Sequence, residues 1–273
     1  MSAPRELPCA EEVLPRLVAA CRTGRLALFL DFDGTLTPIV AHPDLARLDP
    51  AVAASLERLA ARTFVAVVSG RDLADIRARV GLAGVWYAGS HGLDIEGPDG
   101  RRLVVGEELA HELEVLAAEL EPHVARTPGA WLERKRLSLA VHVRATPEPA
   151  ATALGRTVHL LAARHPRIRL LEGKKIFDLK PAVDWHKGRA VRWMLEHVVP
   201  AGALAVFLGD DVTDEDAFAV LAGDGIGILV GDGRPRTRAR WRLPDTRAVA
   251  RFLARLARDC GAQISGTGER TAR

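Results

Sequence analysis

Five short apolar runs constrain this chain more than any other feature: LALFL at 26–30, FVAVV at 64–68, VWYAG at 85–89, LAVFLG at 204–209 and GIGILV at 225–230. Runs of this length, bounded by turn residues, suit strands buried on both faces, as in a parallel sheet. Segments of helical period separate them and carry start signals. These are Asp49 before Pro50, Asp72 with Asp75 three residues on, and Thr213 with Asp216 three residues on. Such β-α-β alternation specifies an α/β chain.

The middle of the chain follows a different pattern. Periodicity predicts a helix near 107–121, an alternating strand RLSLAVHVR at 136–144, a helix over 150–164 and strands near 168–171 and 175–180. An α+β module of this kind, set between two α/β stretches, reads as an insertion, here a cap bounded by Arg101 and Ala182. The core is then 1–100 plus 183–273. With 273 residues and 48% hydrophobic content, the chain has enough apolar surface for both.

Several functional classes are excluded at this level. The first twenty residues mix acids, bases and prolines, so no signal peptide is expected, and no later run is long enough to span a membrane. Cys9, Cys21 and Cys260 form no Cys-x-x-Cys unit, which suggests reduced thiols and a cytoplasmic protein. The 38 basic residues are nearly balanced by 35 acidic ones, a mild charge that tolerates small anions. Arg234, Arg236, Arg238, Arg240 and Arg242 recur with a period of two, as one polar face of a strand would. Apart from Trp241 they lack interleaved aromatics, so a solvated face is expected rather than nucleic-acid binding. A monomer acting on a small molecule, with neither nucleic acid nor membrane as partner, is the expectation.

Four motifs carry chemistry. DFDGTLTPI at 31–39 follows the first apolar run, and in an open parallel sheet the carboxyl ends of strands line the ligand crevice. Asp31 is therefore placed to attack phosphorus and form an acyl phosphate. Asp33 is placed to protonate the leaving oxygen and later to deprotonate water. Gly34 permits a tight turn, and Thr35 offers donors to phosphate. VVSGR at 67–71 ends the second run, where the Ser69 hydroxyl and the neighbouring amides, that of Gly70 included, can hold phosphate oxygens, with Arg71 adding charge. WHKG at 185–188 opens a helix and offers Lys187 to neutralise phosphate and nucleophile. FLGDDVTDED at 207–216 is an acidic cluster at a further strand end, and so many acids repel unless a cation sits among them.

Mg²⁺ prefers oxygen ligands, which suits Asp210 with Asp31 and the Asp33 carbonyl, Asp211 and Asp214 standing further out or acting through water. Glu215 and Asp216 are left out, because acids in a first helical turn favour the helix dipole whatever the function. Taken singly, each motif also has a plain structural reading: an Asx turn, a helix cap, a solvent-facing lysine. Four in this order, three at strand ends and one opening a helix, point to phosphoryl transfer. No Walker loop, HExxH or GxGxxG is present, and the Gly-x-Ser-x-Gly elbow is not satisfied.

The series resembles the haloacid dehalogenase superfamily of aspartate-nucleophile phosphatases, whose motifs correspond to Asp31 with Asp33, Ser69, Lys187, and Asp210 with Asp214. More narrowly, DFDGTLTPI, VVSGR, YAGSHGLDIEGP, GKKIFDLKP, WHKG and GDDVTDEDAF are together similar to the trehalose-6-phosphate phosphatase family, over about 26–256. The resemblance implies a Rossmann-like core with an inserted α+β cap, Mg²⁺ dependence, and hydrolysis of trehalose 6-phosphate in trehalose biosynthesis. It further implies sugar contacts from the cap, at Glu133, Lys135 and Glu172. Arg144 is expected to reach the phosphate on cap closure, and His91 to face the cleft. No synthase domain is expected ahead of the phosphatase. A sibling enzyme acting on sucrose phosphate or a glycosyl phosphoglycerate is the near alternative. A phosphosugar sensor without turnover is the remote one, disfavoured because Asp31 and Asp33 are both intact.

Overall fold

A computed structural model of the protein describes residues 7–40, 42–173, 175–232 and 236–262. In chain order the elements are α1 (Leu14–Arg22), β1 (Leu26–Leu30), α2 (Pro50–Ala60), β2 (Phe64–Val68), α3 (Leu73–Val80), β3 (Trp86–Gly89), β4 (Asp94–Glu96) and β5 (Arg102–Val104). Then come α4 (Ala110–Ala125), β6 (Trp131–Lys135), β7 (Ser138–His142), α5 (Glu148–Ala162), β8 (Ile168–Gly173) and β9 (Ile176–Pro181). The chain closes with α6 (Lys187–His197), β10 (Leu204–Gly209), α7 (Glu215–Val220), β11 (Ile226–Val230), β12 (Trp241–Leu243) and α8 (Thr246–Gly261). All five apolar runs are strands, so the fold is α/β as the periodicity requires.

The chain divides into two compact units. The first comprises the segment up to Val68, Arg77–Tyr87, and everything from Lys187 on; the second is Ser69–Ile76 with Ala88–His186. The sequence-based cap, 101–182, lies within the second. In the first unit β12-β11-β10-β1-β2 form a wholly parallel series. All five residues of β1 are buried, as are all five of β11, which is why these strands carry no polar alternation. Helix α8 packs on α1 and α2, and α6 packs on α7.

The second unit contains the β4-β5 hairpin and a four-stranded antiparallel sheet in the order β6-β7-β9-β8. Leu139, Val141 and Leu179 of this sheet pack with Leu113, Leu116 and Leu120 of α4 and Leu154 and Val158 of α5. Alternation then leaves the other sheet face without an apolar layer of its own, since its outward positions are mostly polar.

Helix starts follow local chemistry. Asp49 caps α2 by accepting from the Ala51 N–H at 2.7 Å, and Asp72 does the same for the Ala74 N–H at 2.9 Å. The expected start at Thr213 is corrected by the structure. Asp211 is the cap of a 3-10 turn, Val212–Asp214, that runs into α7, and the side chain of Asp214 returns to the backbone of Asp211. The arginine series is a second correction: residues 236–240 form no strand, only Trp241–Leu243 does, and Arg234 lies outside the described residues. Arg238 donates its N–H to Glu215, and Arg240 reaches the carbonyls of Ala222 and Gly223.

The cysteines differ from expectation too. Cys21 on α1 and Cys260 on α8 form a disulfide, with Cα atoms 6.0 Å apart and 239 residues between them in sequence, while Cys9 is free and exposed. Packing of α8 against α1 brings the two together, which spacing alone could not reveal. Titration of the denatured, unreduced protein with a thiol reagent should therefore find one thiol, and reduction should lower the melting temperature by on the order of 10 °C. Three reactive thiols before reduction would show that the bond does not form in solution.

Candidate active site

Asp31 is the first residue past β1, and its N–H donates to the Leu208 carbonyl of β10 at 2.9 Å. Because β1 and β10 are parallel and in register from Leu26↔Leu204 to Leu30↔Leu208, their carboxyl ends coincide and release Asp31 and Asp210 as neighbours. The chain then folds back at once. The Leu36 and Thr37 N–H groups both donate to the Phe32 carbonyl at 2.9 Å, and Gly34 donates to Thr37 at 2.7 Å. Gly34 has φ +89°, and a Cβ there would overlap the Asp210 carboxylate, so the turn needs glycine for space as well as for its left-handed backbone. Thr35, fully buried, donates its hydroxyl to Asp210 Oδ1 at 3.4 Å. Asp33 lies in this turn, half-buried and bridged to Thr37.

Lys187, the first residue of α6, is buried and reaches into the acidic group. Its Nζ donates to Asp31 Oδ1 at 2.6 Å and to Asp214 Oδ1 at 2.7 Å. The second oxygen of Asp214 accepts the Asp211 N–H at 2.8 Å, so the turn that starts the acidic helix also orients the lysine's anchor. Asp31 Oδ2, in contrast, is buried and accepts no hydrogen bond. A buried carboxylate oxygen left this way is either costly or kept for a ligand. Oxygens of Asp31, Asp210 and Asp214 all lie within 4.8 Å of one another. Donors made only of oxygen, with one buried lone oxygen among them, fit a hard divalent cation.

The electrostatics agree. Burial pushes the Asp31 carboxyl up to about 8 against the pull of Lys187, and the nearby Asp214 and Asp210 add to the rise. Burial also raises Asp210, to about 6, helped by Asp214 and Asp211. Burial alone would push Lys187 down, but the charges of Asp31 and Asp214 outweigh it and hold the ammonium above its usual range. One buried cation thus faces three carboxylates, a set that a second positive charge would balance.

The second unit holds the other candidates. Ser69 is buried; its hydroxyl accepts the Arg71 N–H at 3.1 Å, and its carbonyl accepts the His91 N–H at 2.8 Å. A Cβ on Gly70 would lie 2.8 Å from the His91 ring, so the two residues are in close contact. Ser90 and His91 both adopt left-handed backbone, φ 50° and 58°, which costs energy in residues other than glycine and is held here by the bonds from Ser90 N–H to Arg71 O and from His91 N–H to Ser69 O. Arg71 Nη1 pairs with Asp75 at 2.9 Å. On the sheet, Glu133 contacts Lys135 at 3.4 Å and His142 at 3.0 Å.

Residues 29–268 match the Trehalose-phosphatase family. The chain belongs to this family. It is 42% identical over 241 residues to the trehalose-phosphate phosphatase of Mycobacterium tuberculosis, a stretch covering 85% of this chain and 61% of that relative. It therefore spans less than two thirds of that relative's length. The C-terminal domain of Candida albicans trehalose-6-phosphate phosphatase superposes with a TM-score of 0.72 at 23% identity, covering 93% of this chain and 99% of that one. A haloacid dehalogenase-like hydrolase from Bacteroides thetaiotaomicron superposes at 0.61 with 13% identity, covering 85% and 99%. The last two are likenesses of fold, a parallel-sheet core of the haloacid dehalogenase type.

Within this chain the expected residues fall into separate groups. Asp31, Thr35, Lys187, Asp210 and Asp214 come together, with Asp33 two residues past Asp31. Ser69, Gly70, Arg71 and His91 form a second group. Glu133 and Lys135 share one face of the cap sheet. Glu172 does not join them: it alternates with Ile168 and Leu170, which face the helices, and bonds His159 of α5 at 2.8 Å. Arg144 stands exposed in the turn after β7. Two residues were not singled out from the sequence, His142 and Asp178, both on the face of Glu133. The alternation in RLSLAVHVR and IFDLKP carried that signal, once the inward leucines are recognised.

Proposed function

We propose that this chain hydrolyses trehalose 6-phosphate to trehalose and phosphate through an aspartyl phosphate on Asp31, with Mg²⁺ as cofactor. The observation that carries this reading is the Asp31 carboxylate: one oxygen fixed by Lys187 and the other buried with no donor, at the end of a central strand. Asp31 attacks phosphorus as the bond to the sugar oxygen breaks, and Asp33 gives its proton to that oxygen. With trehalose gone, Asp33 takes a proton from water, which attacks phosphorus and frees phosphate and Asp31. Lys187 orients Asp31 and pulls its carboxyl toward the ionised form against burial, and Asp214 holds Lys187. Asp31, Asp210 and the Asp33 carbonyl, backed by Asp214, would hold Mg²⁺, which supplies positive charge against the phosphoryl oxygens when bound. The hydroxyls of Thr35 and Ser69, the Gly70 amide, Arg71 and Arg144 serve the phosphate, His91 braces Gly70, and residues 101–182, Glu133 and Lys135 above all, select the sugar.

The mycobacterial relative, a trehalose-phosphate phosphatase, supports this substrate. The test is phosphate release from trehalose 6-phosphate, sucrose 6-phosphate and glucose 6-phosphate, with Mg²⁺ or EDTA. Release selective for trehalose 6-phosphate and lost in EDTA is expected. Preference for another ester would keep the chemistry and replace the substrate; binding without release would make the chain a sensor.

A further inference from the structure

Beside Glu133 and Lys135, the open face of the cap sheet carries a pair of rings to which the reading above gives no role. Trp131 and His142 are directly opposed on β6 and β7, and their rings stack with centroids 3.8 Å apart and planes 3° from parallel. His142 is fixed in turn by Glu133, Nε2 to Oε2 at 3.0 Å, and Glu133 also contacts Lys135. Trp131 is nevertheless 45% exposed, one of the few large apolar side chains at the surface. With imidazole against one side of the indole, its open area is on the other.

Register places further polar groups around the same spot. Glu133 opposes Ala140, which opposes Asp178, so two carboxylates flank a residue with almost no side chain. Glu133 is held below the usual carboxylate range by the His142 hydrogen bond first and, despite burial, by Lys135 as well. Residues i and i+2 on a strand are about 7 Å apart, so a ring of hexose size lying on Trp131 comes within hydrogen-bonding reach of Glu133. A pyranose has an apolar C–H face and a rim of hydroxyls, which matches a flat aromatic surface beside a carboxylate that accepts, Glu133, and an ammonium that donates, Lys135. A ring already locked by its neighbours loses little freedom when a ligand stacks on it.

We propose that Trp131 is a specificity-determining residue, the platform on which a glucopyranosyl unit of the substrate stacks, with His142 as the positioning residue that holds the platform flat. The proposal rests on the sugar-phosphate reading above. Its test is steady-state kinetics of the full chain with Mg²⁺ for Trp131→Ala and Trp131→Phe, on trehalose 6-phosphate and on acetyl phosphate, which has no sugar. For Trp131→Ala, KM for trehalose 6-phosphate should rise on the order of tenfold, with acetyl phosphate unchanged; Trp131→Phe should recover most of the loss. Trehalose alone, titrated against wild type and Trp131→Ala by calorimetry, should bind the variant correspondingly more weakly. Equal losses on both phosphates, or none on either, would overturn the role of Trp131. A wild type active on acetyl phosphate but inactive on trehalose 6-phosphate would instead overturn the substrate reading on which the proposal stands.

Discussion

Asp31→Asn should abolish phosphate release, by on the order of 10⁴–10⁶-fold, the usual cost of deleting a covalent nucleophile. Asparagine keeps the size of aspartate and can still accept a hydrogen bond from Lys187, so the surrounding turn should survive. The substitution also removes a carboxyl whose proton burial holds up to about 8. A carboxyl raised in this way favours the fold below its unfolded value near 3.8 and loses that contribution as pH rises toward 8. Without metal, then, the wild type should become less stable between pH 5 and pH 8, and Asp31→Asn should flatten that decline. Melting temperatures in EDTA at both pH values, beside phosphate release with Mg²⁺, test the two halves together. An inactive variant with a native-like melt places Asp31 in the chemistry; an inactive variant that melts early at both pH values would show only that the site had collapsed.

Glycine 34 illustrates why this half of the site was legible in the sequence. The motif places an acid at the end of an all-apolar strand, and a parallel sheet then fixes where that end points. The same logic put Asp210 beside it, through the register of β1 and β10. Features that depend on which face a side chain takes were harder to read. WLERK at 131–135 carries a single apolar inward residue, Leu132, since Arg134 on the same face pairs with Glu114 and Glu121 of α4, so its strand period is hidden among charges, and the Trp131–His142 pair needs the register of two strands to be seen. Glu172 and Glu133 look alike as acidic residues of one module, yet alternation turns them to opposite faces. The arginine series misled for the converse reason: a period of two needs an apolar partner row to make a strand, and the intervening residues of 236–240 are Thr237 and Ala239. Cys21 and Cys260 meet only because the helices near the two ends of the described chain are packed together.

Lys187→Met is the other large effect, and it separates charge from packing. Methionine has a similar length but leaves Asp31, Asp210 and Asp214 facing one another with no cation among them. Breaking a buried ion pair by removing one member costs about 3–5 kcal/mol when the remaining charge has no other partner. That penalty exists only while the acids are ionised. Lys187 lowers the proton affinity of both Asp31 and Asp210, so without it both should hold their protons to still higher pH. In EDTA the variant should therefore lose much melting temperature at pH 8 and little at pH 5, and its phosphate release with Mg²⁺ should fall at least about 100-fold, with the acidic limb of the rate profile displaced to higher pH. Lys187 is buried and holds both Asp31 and Asp214 from one nitrogen, so Lys187→Arg, with a wider planar fork, should not retain full activity. An equal loss of stability at pH 5 and pH 8 would assign Lys187 to packing, and the electrostatic account of how Lys187 lowers the proton affinity of Asp31 would have to be given up.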